Sequence, residues 1–88
     1  MQKYVTRKGA TIHTGQHYED ARPTNKRTLH VDSIGEPRDP REPDELTVYT
    51  SVIAVDGEPV TRRTTSMTAR RLTGRDFVLV TKARKASA

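Results

Sequence analysis

The sequence has no cysteine, no tryptophan, three tyrosines and one phenylalanine in 88 residues. Without cysteine there is no disulfide framework and no thiolate zinc site. No apolar run approaches the ~20 residues that cross a bilayer as a helix. Residues 1–10 carry Lys3, Arg7 and Lys8 with no apolar stretch behind them, so no secretory signal is expected there. Leu, Ile, Val and Phe together make sixteen residues, about 18%. That is under the ~20% at which disorder becomes a serious expectation. What is left is one domain with a small core, or a chain that folds only on a partner.

Pattern argues for the folded domain. The chain holds 13 Thr and 8 Val, whose stiff β-branched side chains favour strands. The apolar residues are also clustered. Residues 27–34 alternate, with Leu29 and Val31 on one face and Thr28, His30 and Asp32 on the other. Residues 46–55 are apolar on both faces: Leu46, Val48, Val52 and Ala54 on one, Tyr49, Ile53 and Val55 on the other. Asp56-Gly57 then signals a tight hairpin, and residues 60–68 return. Residues 77–82 make a last strand, and Ile12 and Tyr18 anchor an irregular opening one. Helical periodicity is absent over three turns, which leaves one turn near 69–72 ended by Gly74. This order predicts an all-β fold, a small SH3-like five-stranded barrel with one short 3₁₀ turn before the last strand. Closure would hide edges that so few apolar residues could not otherwise protect. An open antiparallel sheet is the next alternative. The expected layout is an N-terminal arm at 1–10, the barrel at 11–82, and a basic tail at 83–88. Phe77 and Ile53 are expected core residues.

Certain residues carry a resemblance. Gly15-Gln16-His17-Tyr18-Glu19-Asp20, then Pro23, then Arg27-Thr28-Leu29-His30-Val31, are followed by Arg63-Thr64-Thr65-Ser66-Met67, Arg71-Leu72 and Phe77-Val78-Leu79-Val80. Over roughly residues 12–81 this resembles a group of small actinobacterial and actinophage proteins. The resemblance implies an SH3-like fold and a bacterial or phage source, hence a cytoplasmic setting, and implies no activity. The long loop at 35–45 departs from the pattern.

The net charge of +5 is uneven. Residues 1–45 hold eight basic and eight acidic side chains; residues 46–88 hold eight basic against three acidic. In a small barrel the basic residues of one strand, the next turn and the tail would merge into one face. The expected contact set is Arg62, Arg63, Arg70, Arg71, Arg75, Lys82, Arg84 and Lys85, with Tyr49 as the single stacking residue. Such a face attracts phosphates by Coulomb steering and counterion release. With so few aromatics, phosphate contact should dominate over base readout. A solvated face that only keeps the protein soluble has the same composition.

Residues 35–45 read GEPRDPREPDE. Pro37, Pro40 and Pro43 would line one ridge of a polyproline II segment, as a stiff exposed loop or a peptide for an aromatic groove. The loop's carboxylates could also screen the basic half. Enzymatic chemistry finds little support. His13 and His17 are four apart, but Gly15 interrupts them, and His30 falls on a solvent face. There is no phosphate-binding glycine loop and no nucleophile elbow. No metal and no cofactor are expected. The sequence therefore reads as a non-enzymatic module that contacts nucleic-acid backbone without crossing a membrane. The alternative is a protein–protein adaptor, as a phage-encoded modulator or a structural component of a larger complex.

Overall fold

The computed structural model describes residues 2–80. The fold is mostly β. Seven strands run β1 Lys3–Val5, β2 Thr11–His13, β3 His17–Asp20, β4 Arg27–Ile34, β5 Thr47–Val55, β6 Glu58–Thr68 and β7 Phe77–Leu79. A 3₁₀ turn, Pro43–Glu45, precedes β5, and one short helix, α1 Ala69–Leu72, precedes β7. The helical turn expected before the last strand is thus α rather than 3₁₀, and the 3₁₀ turn stands in the proline loop.

β1 and β2 form a two-stranded sheet. The other five make an antiparallel sheet ordered β6-β5-β4-β3-β7. The arm at 1–10 therefore contributes a strand, and its Tyr4 packs on the core. Asp56 (φ 52°) and Gly57 (φ 83°) form the β5–β6 turn. Two positive φ angles match the twist of a two-residue hairpin, which is why Asp-Gly marks it. The Asp56 carboxylate also accepts from the Asn25 and Lys26 backbone N–H groups, tying the hairpin tip to the 20–27 connection.

Ile12, Leu29, Val31, Leu46, Val48 and Leu72 are fully buried, with Tyr18, Ile34, Val52, Ala69 and Phe77 around them. The registers Tyr18–Leu29–Val52 and Val31–Thr50 keep these side chains on one face. Ile53 is not among them. Between the pairs Ala54–Pro59 and Val52–Arg63, β6 has three residues where β5 has only Ile53. This bulge leaves Ile53 half-buried and outside the core.

The five-stranded sheet is open. β6 and β7 are its two edges, and they do not pair among the described residues. This corrects the expected closed barrel. The cause lies in β6. Arg63 pairs with buried Val52, Thr65 with buried Thr50 and Met67 with buried Val48, so these three face inward. Sealing β6 against β7 would bury the Arg63 charge without a partner, which is costly. β7, with three residues, also offers little length to pair.

The proline loop is pinned. Asp44 is buried and accepts from the Tyr4 hydroxyl at 2.5 Å and the Arg7 backbone N–H at 3.2 Å. Arg7 donates in turn to the Arg41 carbonyl at 2.7 Å. Pro43 opens the 3₁₀ turn, so it leaves the ridge that Pro37 and Pro40 would continue. Burial and the Asp44 carboxylate push the Tyr4 hydroxyl up to about 12. The Tyr4 hydrogen bond holds the Asp44 carboxyl below its usual value of 3.8. Asp44→Ala is expected to cost roughly 1–3 kcal/mol, because it strands the Tyr4 hydroxyl and frees the loop. A carboxyl with a depressed folded value stabilises above its unfolded value and loses that contribution as pH falls through the folded one. The gap between wild type and variant in urea unfolding should be widest near neutrality and close below pH 3.8.

Candidate functional site

The gap between β6 and β7 is a cleft. Three depressions along it share Arg27. One of about 280 Å³ is lined by Asp20, Arg22, Arg27, Arg71, Arg75 and Phe77, with Ala21 and Asp76. A second of about 490 Å³ lies between the end of β6, α1 and β7, against Arg27, Thr65, Met67, Arg71 and Phe77. A third of about 540 Å³ is bounded by Arg27, Arg63, Val52, Val55 and Val60. Five arginines therefore meet two carboxylates along one recess.

Arg27 is its centre. Residues 27, 29 and 31 alternate to the same side, so the arginine enters with Leu29 and Val31. Its backbone N–H, Nε–H and NH2 group all donate to Asp20, at 2.8, 2.8 and 3.0 Å. Its guanidinium carbon lies 6.0 Å from the Phe77 ring centre. These contacts orient the fork, and a guanidinium has five N–H donors, so some remain for a ligand. The Arg27 hydrogen bonds hold the Asp20 carboxyl below its usual value. Arg22 adds a weaker contact to Asp20 at 3.5 Å. Arg63, Arg71 and Arg75 have no carboxylate partner among the described residues. Arg71 is positioned by α1, whose start is capped by Thr68 Oγ accepting from the Arg71 N–H at 3.1 Å.

The expected basic face divides in this structure. Arg71 and Arg75 line one depression of the cleft and Arg63 another, with Arg27 common to both. Arg62 lies on the outer face instead, donating to Asp32 at 2.8 Å beside His30. Arg70 is bound to Glu42 at 2.9 Å and to Glu45, so the acidic loop neutralises one arginine of the set. Tyr49 pairs with Ser33 and Ser66 on the outer face, 44% exposed, and is not brought to the cleft. Lys82, Arg84 and Lys85 lie outside the described residues, as does the tail at 83–88.

Around Arg62 the outer face carries a polar network. Ser51 Oγ donates to Asp32 at 2.5 Å, and His30 Nδ1 lies 2.9 Å from the same carboxylate. The His17 and His30 rings meet edge to face at 5.3 Å. Partial burial would raise the Asp32 carboxyl, but hydrogen bonds from Ser51, His30 and Arg62 outweigh it and lower it. Burial, then the neighbouring His30, lowers His17. Ser51 is thus tied to the aspartate and not to a histidine. Among the described residues no group of three or more His, Asp or Glu could hold a metal ion. No helix among them is long and apolar enough to cross a membrane.

Asp20 and Arg27 stand in the motifs that carry the resemblance, but neither they nor Arg22 is in the expected contact set. The available signal was parity: Arg27 falls on the same side of β4 as Leu29 and Val31, and a charge at a core-facing position asks for a partner. Comparison with protein-family models, curated proteins and solved structures finds no match for this chain.

Proposed function

We propose that this protein is a non-enzymatic module that holds the sugar–phosphate backbone of nucleic acid in the β6–β7 cleft. The observation that carries this reading is that Arg63, Arg71 and Arg75, none with a carboxylate partner among the described residues, line depressions that share the oriented Arg27. Guanidinium forks match phosphate oxygens two at a time. The rest of the reading follows from the motifs: an SH3-like relative of small actinobacterial and phage proteins, working in the bacterial cytoplasm. For the SH3-like part alone, the supporting feature is the order of elements, a meander β3-β4-β5-β6 followed by a helical turn and a strand returning to β3.

The test is a salt titration of oligonucleotide binding by fluorescence anisotropy. Affinity should fall several-fold between low and moderate salt. Arg63→Ala combined with Arg71→Ala should weaken binding and lower the salt slope by roughly 1.4–1.8, a little under one unit for each phosphate no longer engaged. Arg62→Ala combined with Arg70→Ala should change the slope little, because both are already engaged by carboxylates. No binding at low salt, or equal effects of the two pairs, would sink the proposal. Tight capture of an acidic protein with no nucleic-acid binding would favour an adaptor.

A further inference from the structure

We infer that the cleft takes a single strand rather than a duplex, seating an unpaired base on Val52, Val55 and Val60 and its phosphates on Arg27 and Arg63; this rests on the phosphate-binding reading above. The third depression joins two kinds of surface. Three valines form an apolar wall, with Val60 41% exposed, and two guanidiniums line the same space. Its volume of about 540 Å³ lies within the ~300–1,000 Å³ of small-molecule sites.

A duplex has no use for that wall. Its bases are paired and stacked, and a protein reaches only their edges from the grooves. An unpaired base offers a whole ring face, which an apolar surface can cover regardless of base identity. Shape points the same way. A duplex is a convex cylinder with phosphates outside, and it suits arginines on a protruding face. Here Arg62 and Arg70, outside the cleft, are held by Asp32, Glu42 and Glu45. Of the expected contact set, the arginines without carboxylate partners among the described residues, Arg63, Arg71 and Arg75, line the recess behind the open β6 edge. With phosphates on arginine and the base on aliphatic carbon, binding should be strongly salt-dependent and tolerant of sequence.

The experiment compares a labelled oligothymidine of about twelve nucleotides with the same strand annealed to its complement. Anisotropy at low salt should show the single strand bound about tenfold more tightly. Val60→Ser should remove most of that preference. Val78→Ser, on the outer side of β7 beside Glu19, should alter neither. Both valines are exposed, so both variants should keep the wild-type far-UV spectrum. Equal or tighter duplex binding overturns the single-strand inference and leaves the phosphate reading standing. An unchanged preference in Val60→Ser overturns the valine seat. Absence of binding to either nucleic acid overturns both readings, as does a polyglutamate peptide held more tightly than the single strand.

Discussion

Leu29→Ala is expected to unfold most of the protein or leave it marginally folded at room temperature. Leu29 is fully buried at the middle of β4. It is flanked across the sheet by Tyr18 on β3 and Val52 on β5. Removing three carbons there loses their transfer free energy and opens a cavity that two flanking strands cannot collapse. Such changes cost roughly 2–5 kcal/mol. A domain this small sits toward the low end of the usual ~5–15 kcal/mol, so one side chain is a large share of the total. A loss near 3 kcal/mol should lower Tm by roughly 12–24 °C. Ile53→Ala deletes a similar volume from the bulge, where the side chain is half-buried, and should cost clearly less. Thermal and urea unfolding of both variants reads the difference directly. Equal losses would mean that Ile53 belongs to the core and that the bulge is misplaced.

The Ile53 comparison bears on what a sequence can convey. Local signals were legible. Asp56-Gly57 marked its hairpin, and alternation around Leu29 and Val31 marked β4 and its buried side. Thr and Val runs marked β5 and β6. These are properties of neighbours in the chain, and period-2 alternation with β-branched residues reports them. Alternation breaks down where a strand bulges. In residues 46–55 both faces are apolar, so no pattern showed that β6 carries three residues opposite Ile53.

Closure and charge were harder, because both depend on distant partners. Whether β6 seals against β7 turns on Arg63, and its inward aim is set by the register with Val52 across the bulged hairpin. The basic half was legible as composition. Which arginines stay without carboxylate partners was not. Arg62 meets Asp32 across thirty positions and Arg70 meets Glu42 across twenty-eight. No spacing rule reaches that far. The acidic loop has the charge to screen much of the basic half, and of the expected contact set it takes up Arg70. Arg27 is inconspicuous for the opposite reason. It opens a strand and a motif that implies no activity, and only its parity with Leu29 points to the cleft.

Asp20→Asn is expected to weaken both the fold and the site, and to separate positioning from charge. Asp20 is buried at the end of β3 and takes three hydrogen bonds from Arg27. Asparagine keeps one acceptor oxygen but turns an NH₂ group toward a guanidinium that can only donate. Charged hydrogen bonds of this kind are worth roughly 1.5–3 kcal/mol. The Arg27 side chain is 36% exposed, so water compensates part of the loss, and about 2 kcal/mol is the expected cost. The Arg27 hydrogen bonds hold the Asp20 carboxyl below 3.8. Its contribution is therefore complete above the unfolded value and fades as pH falls through the folded one. The variant should accordingly show a flatter acid limb in its stability–pH profile. Binding gives the sharper contrast. The substitution makes the cleft one unit more positive, and charge alone would tighten a phosphate ligand. Arg27 would also lose the carboxylate that holds its fork over Phe77. We expect the second effect to win, with weaker binding at matched salt and pH 7 while the protein remains folded. Tighter binding would show that Asp20 only offsets charge and that Arg27 needs no positioning residue to meet its ligand.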